Sequence, residues 1–269
     1  MEKKHIKEIS LKMTEIRKTK RKVMTNYYLT YNGADVLFDT FVTEETIVFC
    51  IQENNIYRVF YYSVDEKDLI ENLKKLPKNS ILDIVAQEGS LDVQWLEGAG
   101  FYLYSTYARF GQPLLDYENQ KELMSKNRID AFYNEEYGEC ATVDDVQELQ
   151  RLISKGFDEK TDHLFSDEEL EDLINNKNIL VQRESGEIFC IFIYKIEGKK
   201  FYYNLSYNEG TADVLYSIEK KSLLNAIKEY GVSYAYSWMA LTNKKALKRS
   251  AVPADHMRNY IFEKKELDL

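Results

Sequence analysis

The chain has 269 residues, of which 44% are hydrophobic, with only 3 Pro and 11 Gly. That is enough apolar material for the cores of two modest domains, and too little Gly and Pro for long flexible linkers, which excludes global disorder. The formal net charge of -9 argues against non-specific DNA or RNA binding by the chain as a whole, because phosphate recognition needs a basic footprint.

A helix is predicted over residues 3–24, where Ile6, Ile9, Met13, Ile16 and Val23 recur at near-helical spacing among charged residues. Residues 1–22 carry nine Lys or Arg against three Glu, a solvated helix face or a basic arm. A turn is expected over 31–35, Tyr-Asn-Gly-Ala-Asp. Strands are predicted over 46–52 and 57–63, with Glu53-Asn54-Asn55 as the hairpin turn between them. Asp65 is placed to cap a helix over 66–76 that Pro77 stops. A buried strand over 80–85, a short helix over 91–97 ended by Gly98 and Gly100, and a strand over 101–110 follow. Gly111-Gln112-Pro113 breaks that strand, and the polar stretch 116–127, helical or loop, contains the expected domain boundary.

The second half restarts with a short strand over 136–142. Thr142 or Asp144 then caps a helix through Val146, Leu149, Leu152 and Ile153, and Gly156 ends it. Ser166 with Glu169 forms a capping-box pattern that opens a helix through Leu170, Leu173 and Ile174. Strands are predicted over 179–183, 188–196 and 200–207, with Gly186 and Gly198 in the connections. A long helix over 211–230 ends at Gly231; a strand over 232–238, a Lys/Arg-rich helix over 243–249 and a last strand over 258–263 complete the order. Cys50, Cys140 and Cys190 are far apart and offer no zinc-ligand spacing, so no metal is expected; Cys50 and Cys190 sit in apolar runs as buried free thiols. The longest apolar run, 188–194, suits a buried strand and is too short for a membrane span, so a cytoplasmic protein with no membrane partner is expected.

The order β-α-α-β-β-β-α-β-α-β over residues 129–269 resembles the GNAT (Gcn5-related N-acetyltransferase-like) superfamily. The opening Cys140-Ala141-Thr142-Val143-Asp144-Asp145, the hairpin Gly186-Glu187-Ile188, and Trp238 followed by Asn243-Lys244-Lys245-Ala246 are similar to that family's motifs. The resemblance implies an α/β (α+β) fold in which a mixed, mostly antiparallel sheet is flanked by helices. It also implies that acetyl-CoA or another acyl-CoA binds as substrate. Pyrophosphate would lie at Gly210, Thr211 and Ala212, where a strand enters the longest helix, a position whose free N–H groups attract anions. Backbone N–H groups of the strand at Asn204, Leu205 and Ser206 would hold the pantetheine arm and polarise the thioester, with Asn243 meeting the arm from the other side. The family loop Gln/Arg-x-x-Gly-x-Gly/Ala is represented here with one glycine and with Glu209 beside it, and no cation close in sequence offsets that charge.

Seven residues after Asn243, where many family members place a tyrosine acid, stands Ser250, with Tyr260 as a substitute; His163 and His256 are the candidate bases. The tyrosines at 202, 203, 234 and 236 read as sheet packing. The first half, 1–115, resembles a worn copy of the same fold without a CoA site: its strand-to-helix turn, residues 63–68, is acidic. The expected function is transfer of an acyl group, acetyl first, to a primary amine of a small molecule or peptide, in a chain able to form a homodimer. A non-catalytic GNAT-fold binding or regulatory protein is the first alternative. A tRNA-dependent aminoacyl transferase of tandem-GNAT type, resting on the basic N-terminus, is the second.

Overall fold

The computed structural model describes residues 1–27, 36–250 and 252–265, the side chain of Arg249 excepted; the turn expected over 31–35 lies outside these residues. The chain divides into two compact units, Met1–Tyr107 with His256–Leu269, and Ala108–Asp255. These bounds differ from the expected segments 1–115 and 129–269: residues 108–128 fall in unit 2, and residues 256–269 fall in unit 1.

Unit 1 runs β1 (Glu2–His5), α1 (Ile6–Arg17), β2 (Met24–Thr25), β3 (Leu37–Val42), β4 (Thr46–Glu53), β5 (Ile56–Ser63), α2 (Glu66–Lys74), β6 (Ser80–Gln87), α3 (Gln94–Gly98) and β7 (Phe101–Pro113), which passes into unit 2 at residue 108. The first helix starts at Ile6 rather than residue 3 because residues 2–5 pair with β3 instead. Of the basic residues there, Lys3, Lys4, Lys12 and Arg21 are paired with Asp39, Glu2, Glu15 and Glu45. Helix α1 buries Ile6, Ile9 and Ile16 against Phe38, Phe49 and Phe60. Helix α2, capped by Asp65 accepting from the Asp68 N–H at 2.9 Å, buries Leu69 and Leu73 against Val48, Val59, Leu82 and Phe101. The β4–β5 hairpin turns at Asn54, whose φ of 52° is one that asparagine tolerates.

Strands β5 and β6 are parallel, and their pairing stops at Val59–Leu82. Beyond it the chain's own β2 pairs with β5 at Tyr62 and Ser63. Asn26, 4% exposed, bridges the parted strands: its Nδ2 donates to Val59 O at 2.9 Å and Asp83 O at 3.1 Å, and its Oδ1 accepts from Tyr61 N at 2.8 Å. The gap in unit 1 is therefore filled from within.

Unit 2 continues with α4 (Tyr117–Ser125), a 3₁₀ turn (Arg128–Phe132), β8 (Glu139–Cys140), α5 (Val146–Gly156), α6 (Asp167–Asn175), β9 (Ile179–Glu184), β10 (Glu187–Glu197), β11 (Lys200–Asn208), α7 (Ala212–Tyr230), β12 (Tyr234–Ala240) and α8 (Lys244–Arg249). Its strands lie in the order β7-β12-β11-β10-β9-β8. Leu149, Leu152 and Leu170 of α5 and α6 cover one face over Ile191, Ile193 and Leu205. On the other face Leu215, Ile218 and Ile227 of α7 cover Phe192 and Phe201. Gly231 ends α7 at φ 61°, a left-handed cap that glycine adopts without strain. The stretch expected as a polar boundary is packed down on α7. Lys220, 4% exposed, pairs with Asp130 and stands 4.3 Å over the Tyr133 ring, while the Tyr216 hydroxyl donates to Met124 O and Asp130 Oδ1, each at 3.2 Å.

The last strand, β13 (Ala254–Lys264), returns to unit 1 and runs antiparallel to β6 from Met257–Gln87 to Glu263–Ile81. Its Lys264 is buried and donates to the Leu73 and Lys74 carbonyls, 2.7 and 2.6 Å away at the end of α2, and burial pushes its pKa down to about 8. No helix among the described residues is long and apolar enough to cross a membrane.

Two outcomes follow for stability. Asn26→Ala strands three backbone partners in the β5–β6 gap, and urea denaturation should show a loss of about 3 kcal/mol, the cost of leaving buried polar groups unpaired. Because the folded chain binds the Lys264 proton less tightly than the unfolded chain, stability gains a rising component between about pH 8 and lysine's ordinary 10.5. Lys264→Met removes that component from a pH series of denaturation curves.

Candidate functional site

Strands β11 and β12 are parallel and adjacent, but their register runs only from Lys200–Tyr234 to Tyr203–Ser237. Past that point β11 continues to Asn208 and β12 to Ala240 without pairing to each other. The parting coincides with a bulge. Opposite β10, Ile193 faces Leu205 and Tyr194 faces Tyr203, so Asn204 is the extra residue. The bulge reverses the side-chain alternation of β11. Before it, Phe201 and Tyr203 pack beneath α7; after it, Leu205 and Tyr207 pack on the α5–α6 side. Burial drives the Tyr203 hydroxyl pKa far up, so it stays protonated, and Tyr194 is pushed up to about 12 for the same reason. At the fork itself the Asn204 amide Nδ2 is buried without a hydrogen-bond partner among the described residues. A buried amide of this kind has a desolvation cost that a ligand acceptor would offset.

The turn from β11 into α7 lies across the far end of the fork. Asn208 organises it, with Oδ1 accepting from Gly210 N and Nδ2 donating to Thr211 O, both at 2.9 Å. The Glu209 N–H donates to Phe189 O at 2.9 Å. Gly210 has a packing reason to be glycine: a β-carbon there would stand 2.6 Å from Cε2 of Phe189. Its N–H is engaged by Asn208, so an anion at this end would meet the N–H groups at the start of α7. Gly210, Thr211 and Ala212 are exposed, and the Thr211 hydroxyl makes no cap to the helix. Glu209 is neutralised from a direction the sequence does not reveal. Lys155, at the end of α5, pairs with it at 2.7 Å; that bond and the nearby Tyr207 hydroxyl hold the Glu209 carboxyl below its usual range, and Arg151 adds to the effect.

The remaining expected residues are dispersed. Leu205 is buried and Ser206 exposed on the diverging part of β11. Asn243 caps α8, its Oδ1 accepting from Ala246 N at 3.1 Å, so that oxygen is committed to the helix. The Ser250 hydroxyl donates to Val252 O at 2.7 Å. Tyr260 lies in unit 1, opposite Ile84 on β6 and against that unit's core. His256 is in unit 1 as well, exposed, with its carbonyl accepting from Glu88 N at 2.8 Å. His163 sits before α6 with Nε2 2.9 Å from Glu169 and its ring edge-on to Phe165 at 5.3 Å. There it braces the Ser166–Glu169 capping box. No group of three or more His, Cys, Asp or Glu among the described residues is arranged to hold a metal.

The structure also gathers side chains that the sequence reading assigned to sheet packing. Tyr202 and Tyr236 stack at 4.7 Å between ring centres, 10° from parallel, and Tyr234 adjoins Tyr236 at 6.4 Å. The alternation Tyr234-Ala235-Tyr236-Ser237-Trp238 was the available signal, since it puts all three rings on one face of β12.

Gly210→Ala should lower stability by about 2 kcal/mol through its clash with Phe189, in the range of core overpacking. Adding Phe189→Leu should recover most of that loss in denaturant titrations, because the two changes share one contact.

No protein-family model matches the sequence, and no curated protein is significantly similar to it. Solved structures do match. A GCN5-related N-acetyltransferase from Sphaerobacter thermophilus superposes with a TM-score of 0.51 at 10% identity, over 84% of this chain and 79% of that one. A functionally unknown conserved protein from Staphylococcus epidermidis gives 0.51 at 10% identity, over 89% of this chain and 99% of that one. A probable N-acyltransferase from Enterococcus faecalis gives 0.51 at 9% identity, over 97% and 71%. Together with the forked parallel strands and the helix that follows them, these likenesses establish that the chain has the fold of the GCN5-related N-acetyltransferases.

Proposed function

We propose that unit 2 binds an acyl-coenzyme A, acetyl-CoA in the first instance, in the fork between β11 and β12, and transfers the acyl group to a primary amine of a small molecule or peptide. The observation that carries this reading is the fork itself: a parallel pair that parts at the Asn204 bulge and leaves a buried amide without a partner among the described residues. An extended arm bearing amides fits such a gap by pairing with β11 as an added strand, through the backbone of Asn204, Leu205 and Ser206. The pyrophosphate then lies at the start of α7, at Thr211 and Ala212, where helix N–H groups and the helix dipole favour anions. Lys155 removes the electrostatic objection to Glu209.

The chemistry asks little of the protein. The amine lone pair attacks the thioester carbonyl carbon, a C–N bond forms, the C–S bond breaks, the nitrogen gives a proton to water, and the departing thiolate takes one up. Backbone N–H groups at the bulge stabilise the charge on the carbonyl oxygen. Within the same reading, unit 1 is a silent counterpart. Its own parallel pair also parts, at Val59–Leu82, but β2 and Asn26 occupy the opening.

A non-catalytic binding protein of the same fold is the second reading. It is favoured by the engagement of the Gly210 N–H with Asn208 and by the Phe189 ring against Gly210.

Thermal unfolding with and without CoA and acetyl-CoA separates the two. A ligand held at about a hundred times its Kd adds about 2.7 kcal/mol, a rise of several degrees in Tm. Thr211→Glu places a carboxylate at the exposed start of α7 without touching the Phe189 contact. It should abolish the rise and leave the unliganded Tm unchanged. An unshifted parent protein at saturating CoA favours the non-catalytic reading, and a shift that survives Thr211→Glu puts the ligand elsewhere.

A further inference from the structure

On the face of unit 2 away from α7, Arg109, Lys200, Tyr234, Tyr236 and Trp238 line a recess of about 200 Å³. Its floor is aromatic. The Tyr234 hydroxyl lies directly over Gly111 of β7, at a position where any side chain would displace it. The Tyr236 hydroxyl donates to Glu197 at 2.6 Å, and burial together with that carboxylate pushes its pKa up, so the ring is neutral and fixed. Tyr202 stacks on Tyr236 from β11. The polar rim has the opposite character. Arg109 is held by Asp255 at 2.6 Å, whereas Lys200 is exposed and makes no ion pair among the described residues. The recess also has a direction. Tyr234 stands opposite Lys200 at the start of the β11–β12 pairing, and Trp238 follows Ser237, where that pairing ends. The aromatic run therefore leads from the Lys200 ammonium to the fork.

We propose that this recess receives the acyl acceptor, and that the acceptor is a single planar ring carrying a carboxylate at one end and its primary amine at the other. The inference rests on the acyl-transfer reading of the fork for the word acceptor, but not for the binding chemistry. Ring faces on Tyr234, Tyr236 and Trp238 favour a flat π-system by offset or edge packing. The volume is below that of pockets for drug-sized ligands and suits about one ring. Lys200 attracts the carboxylate and repels a cation placed at that end, so the ammonium must point away from it, along β12 toward the fork. A bare aromatic amine without the anionic group lacks both the anchor and the orientation.

The chain's two tryptophans make the test direct. Trp95 packs edge-on to Tyr61 in unit 1, and Trp95→Phe leaves Trp238 as the reporter. Benzoate should quench its fluorescence saturably, while benzylamine and acetate should not. Lys200→Glu should weaken benzoate by about tenfold, the loss of one exposed ion pair plus the repulsion that replaces it. With acetyl-CoA present, thiol release should be about tenfold faster in kcat/KM with 4-(aminomethyl)benzoate than with benzylamine, the same anchoring energy expressed in turnover. If benzoate leaves Trp238 unchanged with and without CoA, or if benzylamine matches 4-(aminomethyl)benzoate in binding and rate, the proposal is overturned while a CoA-induced rise in Tm still upholds the fork. If benzoate binds as expected and CoA produces no rise in Tm, the recess stands as an aromatic-acid site and the acyl-transfer reading falls.

Discussion

Two parallel strands that stop pairing leave backbone donors and acceptors that must be satisfied by something else, and both units of this chain are organised around that obligation. In unit 1 the debt is met internally, by β2 and by the three hydrogen bonds of Asn26. In unit 2 the strands part at a bulge, the side chains of β11 change faces, and the Asn204 amide stays buried without a partner among the described residues. The same local device is therefore bridged by the chain itself in one unit and leaves a buried amide without a partner among the described residues in the other.

The rest of unit 2 packs around the parted strands. The α5–α6 layer packs on Ile191, Ile193 and Leu205, and the α7 layer on Phe192 and Phe201, so β10 is gripped from both faces just where β11 bulges against it. Phe189 fixes the turn that precedes α7, and Lys155 reaches across from α5 to neutralise Glu209 at the same turn. Lys220, Asp130 and Tyr216 tie α4 and the 3₁₀ turn to the back of α7, where a buried ion pair is a weak source of stability but costly to break.

Much of this was legible in the sequence where the signal is local. The helices over 66–76 and 211–230, the capping residues Asp65 and Ser166, the glycine cap at Gly231 and the hairpin at Asn54 each depend on residues a few positions apart, and each is found. The buried free thiols of Cys50 and Cys190 follow from their apolar neighbours. What the sequence hid was long-range. The Lys155–Glu209 pair, the reach of Asn26 to Asp83 and the docking of residues 116–128 on α7 join positions with no common periodicity. Of the candidate site residues, Asn204 to Ser206 lie on β11 where it leaves β12, Asn243, Ser250 and His163 bond to neighbours close in sequence, and Tyr260 lies on β13 opposite Ile84.

That last assignment bears on how the protein is made. Strand β13 lies between β6 and β7 in the sheet of unit 1, and its Lys264 closes the end of α2. A ribosome releases these residues only after the whole of unit 2 has been synthesised, so the N-terminal sheet waits with a strand-wide slot exposed while its successor folds. During that interval β6 presents an unpaired edge, the feature most open to mispairing and to chaperone capture. The order of completion is thus inverted relative to the order of synthesis, and the first unit to emerge is the last to close.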